Sequence, residues 1–352
     1  MVNFISQQTK LDFDDVLIVP QLGGISSRSL VDFNREFELP HSDEILRGPG
    51  IIAANMDGVG TIEVARALSK LQMYTALTKN LPAETLIKFF REGLETDDLH
   101  AADFSFYSMG IGMEDFKKFS EVDAQVGIDR VCVDVANGYM SAFYEHISFL
   151  RERWPHLTIM AGNVVTPEGV EAAYEAGADI VKVGIGSGAV CTTRLVTGVG
   201  YPQFSAVTEA VEAADELGIL VCSDGGCKNS GDVAKAIAGG ADFVMLGSMF
   251  AGSDEGGNFA ADGSVSFYGM SSKTANDKHF GGLKEYRSSE GRTVKLSPKG
   301  PIEVIAKQIL GGLASACTYS NCNSLYQLPA MAQFARVNNT HNRWLESQTI
   351  GF

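Results

Sequence analysis

The sequence predicts an α/β protein built as a single (βα)8 TIM barrel, with a long rim-covering loop after the eighth strand and no inserted regulatory domain. Three observations carry that expectation. Eight short apolar runs alternate with segments of helical spacing, the pattern of parallel strands whose outer face is covered by helices. Eight such repeats within roughly 200 residues suit a closed barrel. No G-x-G-x-x-G follows the first strand, as it would in an open, doubly wound sheet that binds a dinucleotide.

The elements follow in order. Residues 11–20 are mixed and read as a lead-in, and a polar turn follows at 26–28. Strands are expected at 51–55, 74–77, 105–109, 131–135, 158–161, 180–183, 220–223 and 243–246. Helical spacing runs over 62–70, 84–92, 168–176, 206–217 and 232–238. Gly177 and Gly240 end two of these helices just before the next strand, as a C-terminal glycine does. Past the eighth strand, residues 252–298 are polar and glycine-rich with little periodicity in their second half. They read as an active-site loop or flap lying over the rim. Helical spacing returns at 302–316, and the polar stretch 338–352 is expected to be a loose tail. No linker or shift in composition calls for a second domain, so 1–352 is taken as one.

With 352 residues and 45% hydrophobic content, the chain can bury a large core. A formal charge of −15 at pH 7 argues against nucleic acid as a partner, since phosphate backbones require Lys/Arg faces. A small phosphorylated ligand remains compatible, because it needs only local N–H groups and one or two cations. The first ten residues lack the basic segment and apolar run of a signal peptide. No stretch is apolar for long enough to span a bilayer, so no membrane partner is expected. Of the six cysteines, Cys132 and Cys222 sit in apolar strand-like runs, and the gaps Cys222/Cys227 and Cys317/Cys322 match no common zinc spacing. This is the usage of a reduced, cytoplasmic protein with mostly structural thiols.

The sixth strand runs into the most informative stretch, Val181-Lys-Val-Gly-Ile-Gly-Ser-Gly-Ala-Val-Cys-Thr-Thr-Arg194. Gly184, Gly186 and Gly188 leave carbonyl and N–H groups bare, able to hold an ion or a phosphate. Cys191 leaves this loop flanked by Thr192, Thr193 and Arg194, surroundings that suit an activated nucleophile. An inert thiol in a glycine-rich turn is the competing reading. The carbonyls of Gly186, Gly188 and Cys191, with Arg194 counted beside them, form a candidate potassium site, against an ion-free tight turn. Asp224-Gly225-Gly226 and Gly247-Ser248 end the seventh and eighth strands, the corner where barrels commonly bind phosphate. Ordinary strand-to-helix turns are the alternative there.

As a whole, the string from 181 to 194 resembles the active-site loop of the IMP dehydrogenase/GMP reductase family. Its continuation, Thr197-Gly-Val-Gly-Tyr-Pro-Gln203 and then Ser205-Ala-Val207, resembles the reductase branch. The resemblance covers roughly residues 8–335 and implies NADPH-dependent conversion of GMP to IMP and ammonia through a thioimidate on Cys191. It implies a proton relay of Thr193 and Glu290 for the departing ammonia. It places GMP against Ala189, Asp224, Gly225, Gly226, Gly247, Ser248, Gly269, Met270, Ser271, Arg287 and Gly291, with the Asp224 carboxylate on the ribose. It places the cofactor against Lys79, Asp134, Val135, Ala136, Ile185 and Gly186. From a neighbouring subunit of a homotetramer it adds Ser27, Arg28, Ser315, Ala316, Cys317 and Thr318, with Arg28 positioned for a 2′-phosphate.

The sequence departs from the family pattern at Gly186-Ser-Gly-Ala189, at Ser248, at Thr78-Lys79-Asn80 and in 251–257, where a usual histidine is absent. It also lacks the regulatory insertion that many IMP dehydrogenases carry between strands two and three. Two other functions stay open: NAD-dependent oxidation of IMP to XMP, and a purine-sensing barrel without turnover. Reduction is preferred because the interval from Met270 to Glu290 is short. Its Tyr286-Arg287 pair matches the reductase's substrate segment and not the water-activating flap of the dehydrogenases.

Overall fold

Short runs rich in Val, Ile and Ala cannot bury both faces alone; they do so here by pairing side by side under a coat of helices. The computed structural model describes residues 6, 8–95, 100–286 and 288–337. The expected tail at 338–352, and Arg287, lie outside them. Eight parallel strands form a closed barrel: β1 (Ile51–Ala53), β2 (Tyr74–Leu77), β3 (Ser105–Met109), β4 (Arg130–Asp134), β5 (Thr158–Val164), β6 (Ile180–Val183), β7 (Leu220–Asp224) and β8 (Phe243–Leu246). Closure comes from β8 pairing back onto β1, with Val244 opposite Ile51 and Leu246 opposite Ala53. Every strand expected from the sequence is present.

The helices that cover the barrel are α1 (Ile62–Leu68), α2 (Ala83–Leu94), α3 (Met113–Val126), α4 (Ser141–Arg153), α5 (Pro167–Glu175), α6 (Gln203–Leu217), α7 (Ser230–Ala238) and α8 (Ile302–Tyr319). Their starts are chemically marked: Thr61 accepts the Val64 N–H ahead of α1, and Asn229 accepts the Asp232 N–H ahead of α7. Strand alternation divides the core in two. In β6, Val181 and Val183 belong to the layer between strands and helices, whereas Ile180 joins the cluster that runs through the barrel interior.

Three features were not read from the sequence. An antiparallel hairpin, Arg35–Glu38 with Ile45–Gly48, packs against the beginnings of the barrel strands. Its Phe37 ring lies 4.4 Å from that of Phe243, and Tyr74 meets Phe243 edge-on. The lead-in contains a strand, Val16–Ile18, that pairs with Phe334–Arg336. The stretch 252–298 holds a two-stranded ribbon, Val265–Tyr268 with Thr293–Leu296, and a short helix, Lys273–His279. That helix is polar nearly throughout, so no apolar stripe announces it.

Candidate active site

The strand ends converge on one rim. A cavity of about 550 Å3 opens there, lined from β4 (Asp134), β5 (Asn163), β7 (Asp224) and β8 (Met245, with Gly247 just past its end) and from the 184–194 loop and the rim segment. The loop takes its shape from backbone only glycine tolerates. Gly184 has φ +153°, and a Cβ there would collide with the Asp224 carbonyl oxygen. Gly225, at φ +92°, lies so close to the loop that a Cβ would stand 2.6 Å from the Ser187 hydroxyl. Ser187 in turn donates to the Asp224 carbonyl at 3.1 Å.

Cys191 is partly exposed in this cavity, whereas the other five cysteines are buried. Burial pushes the Cys132 thiol up to about 12 and moves Cys222 and Cys227 well above the usual range. Cys227 also touches the cavity lining, but its burial favours the protonated form. Cys191 is therefore the cavity's one partly exposed thiol among the described residues.

The Cys191 thiol donates to the Thr193 hydroxyl at 3.2 Å, and Thr193 donates to Oε2 of Glu290 at 2.8 Å. This is a continuous proton path from sulfur to carboxylate. The rim segment is fastened to the loop by main-chain bonds at Glu290 and at Arg292. Thr192 N–H donates to the Glu290 carbonyl at 2.9 Å, and Arg292 N–H to the Val190 carbonyl at 2.9 Å. Cys191 and Gly291 form an antiparallel bridge. The Arg292 guanidinium adds bonds of 3.2 and 2.8 Å to the Ala189 carbonyl. Glu290 is thus held by backbone pairing as well as by its side chain.

Of the residues assigned to the nucleotide, Ala189, Asp224, Gly225, Gly226, Gly247, Ser248, Gly269, Met270 and Ser271 line the cavity. Gly291 sits behind it in the bridge to Cys191. Asp134, Val135, Ala136, Ile185 and Gly186, assigned to the cofactor, also line it. Lys79 does not; its ammonium stands 3.9 Å from Asp115 and 5.8 Å from the centroid of the Phe280 ring. Ser27, Arg28, Ser315, Ala316, Cys317 and Thr318 do not line it either. The turn at Arg28–Leu30 packs on α8, the helix that carries Ser315 to Thr318. In that group the Cys317 side chain is buried. In the candidate potassium loop, the Gly188 carbonyl accepts the Cys191 N–H at 3.0 Å, and Arg194 binds Asp12 and the Tyr201 carbonyl.

Three residues with visible work here had no assigned role in the sequence reading. Lys182 is 1% exposed and contacts Asp134 at 2.7 Å and Asp224 at 2.9 Å. A lysine inside a β-branched run was the available signal. Asn163 donates to the Gly184 carbonyl at 2.7 Å and to Asp224 at 2.9 Å, while its own Oδ1 is buried without a partner. Asp57, just past β1, accepts from Tyr268 at 2.6 Å, Lys278 at 3.2 Å, Thr78 at 3.3 Å and Asn80 at 3.3 Å, and pairs with His279 at 2.5 Å. The departures at Thr78 and Asn80 are therefore partners of one carboxylate.

Among the described residues, no helix is long and apolar enough to cross a membrane. Comparison with known proteins adds the following. The model of the IMP dehydrogenase/GMP reductase domain matches residues 10–349. A GMP reductase of Citrobacter koseri is 48% identical over 348 residues, covering 97% of this chain and 99% of that protein. A GMP reductase of Shigella boydii is 47% identical over 344 residues, covering 96% and 98%. A GMP reductase of Klebsiella pneumoniae is 48% identical over 348 residues, covering 97% and 99%.

Proposed function

Because the chain belongs to the IMP dehydrogenase/GMP reductase family, we infer that it is an oxidoreductase of purine metabolism that reductively deaminates GMP to IMP and ammonia. The observation that carries this reading is the path from the Cys191 sulfur through Thr193 to Glu290. GMP has an amino group at C2, and that group leaves only with an added proton. The Cys191 sulfur attacks C2, the C2–N bond breaks, and the thiol proton, passed through Thr193 and Glu290, departs with ammonia. The purine is left joined to Cys191 as a thioimidate.

Asp224, beside the Gly225-Gly226 turn, takes the ribose hydroxyls, and the N–H groups around Gly225, Gly226, Gly247 and Ser248 take the phosphate. Gly269, Met270 and Ser271, which line the cavity, take the base, and Arg287 is assigned to the same ligand by the family resemblance. Asp134, Val135 and Ala136 line the cavity and suit a polar cofactor head. Held against Asp134, Val135 and Ala136, a reduced nicotinamide would supply the hydride needed at C2, with the Cys191 sulfur released as thiolate. Lys79, close to this wall, offers a cation to the cofactor's phosphates.

NADPH is preferred over NADH because Arg28, with Ser27, gives a cation for a 2′-phosphate. Ser27, Arg28 and Ser315 to Thr318 stand outside the cavity lining of their own protomer, and the turn at Arg28 packs on the helix that carries the others. That placement supports a homotetramer in which they complete a neighbour's cofactor site. A potassium ion would be held by carbonyls of Gly186, Gly188 and Cys191 beside Arg194, and the enzyme would work in the cytoplasm. Residues 252–298 act as the flap that brings Glu290 to the sulfur.

The test is to mix the protein with GMP and NADPH and follow the near-ultraviolet absorbance of the cofactor together with ammonia release. Loss of absorbance with one ammonia per cofactor is expected. Turnover only with IMP and an oxidised cofactor would make it a dehydrogenase, and binding without turnover a sensor.

A further inference from the structure

The cavity floor contains a charge that the reaction above does not use. Lys182 lies in β6 and shares its inward face with Ile180. Its ammonium meets Asp134 Oδ1 from β4 at 2.7 Å and Asp224 Oδ2 from β7 at 2.9 Å, with Met245 Sδ of β8 at 3.8 Å. Lys182 is 1% exposed, whereas the Asp134 and Asp224 side chains are 36% and 22% exposed and face the cavity. A cation so buried is costly unless paired. Here it is paired twice, with the two carboxylates assigned to different ligands.

We propose that Lys182 is a positioning residue that holds Asp134 and Asp224 as a fixed pair of acceptors, one for the cofactor and one for the nucleotide ribose. This rests on the functional reading above and deepens it. The outer ends of the pair are also tied. Asn55 bonds Asp134, and Asn163 bonds Asp224 Oδ2 at 2.9 Å. The chain Asn55–Asp134–Lys182–Asp224–Asn163 therefore crosses the barrel mouth as one hydrogen-bonded unit.

Charge explains why a methionine would not serve. Burial pushes the Asp134 carboxyl up, but the Lys182 charge and hydrogen bond outweigh it and hold the group below the usual carboxylate range. Burial pushes Lys182 down, and Asp134 and Asp224 outweigh that in turn. The other titratable groups bearing on this network are Cys132 on β4, Cys222 on β7, Cys227 just past β7, a buried thiol also pushed up, and Lys79, whose charge acts on Asp134 from outside. Cys132 and Cys222 are buried thiols pushed up, hence neutral. Without Lys182, two carboxylates would share the floor, and one would take up a proton as the pH falls.

The experiment compares Lys182→Met and Lys182→Arg with the parent, after circular dichroism has established folding. It measures kcat, KM for GMP and KM for NADPH from about pH 6 to about pH 9, and GMP binding without cofactor. In Lys182→Met both KM values should rise by about tenfold or more, with a further rise toward the acid end, and GMP should bind correspondingly less tightly. Lys182→Arg should restore the parent's pH profile. A folded Lys182→Met with parental KM values, GMP affinity and pH profile would overturn the proposal. So would a loss confined to kcat.

If Lys182→Met does not fold, the Lys182→Met/Asp134→Asn protein removes the uncompensated charge. It should fold and keep both KM values raised; parental values there overturn the proposal. A parent that binds GMP but never consumes NADPH strikes the functional reading instead. In that case the GMP-binding comparison still tests Lys182.

Discussion

The Thr193 hydroxyl donates to Oε2 of Glu290 at 2.8 Å, although 97 positions separate them in sequence. Backbone bonds to the loop at Glu290 and Arg292 make this a built contact. If it carries the proton that leaves with ammonia, Glu290→Gln should keep the shape and lose the proton. We expect kcat to fall by roughly a hundredfold or more, in line with general acid–base contributions, with KM for GMP little changed. Rapid-mixing kinetics should show ammonia release slowed more than hydride transfer. A parental kcat in Glu290→Gln would remove Glu290 from the reaction.

If the sulfur attacks the base while the ribose and phosphate are held elsewhere, Cys191→Ala should abolish turnover and leave GMP binding largely intact. Mass spectrometry of the parent quenched during turnover should find a protein–nucleotide adduct on Cys191. The five buried cysteines should carry none. Turnover by the alanine variant, or an adduct on Cys227, would displace Cys191 from its role.

Arg28→Ala tests the cofactor and the assembly together. A guanidinium contact to a 2′-phosphate is charge-assisted, and only NADPH, not NADH, carries that group. The substitution should raise KM for NADPH by about tenfold and leave KM for NADH nearly unchanged. Arg28 adjoins α8 away from its own cavity. Mixing Arg28→Ala protomers with Cys191→Ala protomers should therefore regain some turnover at sites where an intact cavity meets an intact Arg28. An equal effect on both cofactors would remove Arg28 from the 2′-phosphate.

The barrel was legible because each strand is a short apolar run buried on both faces, a pattern that needs no knowledge of partners. The Cys191 loop was legible for another local reason: its glycines alternate and its nucleophile follows at once. What stayed hidden depends on register and closure. Lys182 is an oddity in a strand until β4 and β7 bring Asp134 and Asp224 to it. The hairpin under the barrel has Phe37 and Leu46 buried, but Arg35, Glu36, Glu38 and Arg47 surround them in sequence, so its apolar signal is weak. The Asp57 cluster gathers residues from 57, 78, 80, 268, 278 and 279, and no spacing rule connects them. Thr78 and Asn80 looked like losses against the family pattern; in the fold they are ligands of Asp57.

Asp57→Asn tests whether that cluster holds the rim segment shut. Burial pushes the Asp57 carboxyl up, but hydrogen bonds from Tyr268 and His279, the Lys278 charge and a bond from Asn80 outweigh it and hold the group at about 2, against an ordinary 3.8. A carboxyl depressed by folding stabilises the fold above its unfolded value, and that contribution is lost as the pH falls through its folded value. The Asp57 contribution, about 2 kcal/mol by that linkage, is thus complete above about pH 4 and disappears toward pH 2. Asp57→Asn should lower stability by a similar amount at neutral pH and flatten the parent's acid limb over that window. Tyr268 opens the ribbon that pairs with Thr293, three residues past Glu290. The variant should therefore show faster amide exchange across 265–296 and a higher KM for GMP, with barrel amides unchanged. Parental exchange in that segment would mean that the bridge between Cys191 and Gly291 suffices to hold it, with Asp57 contributing stability alone.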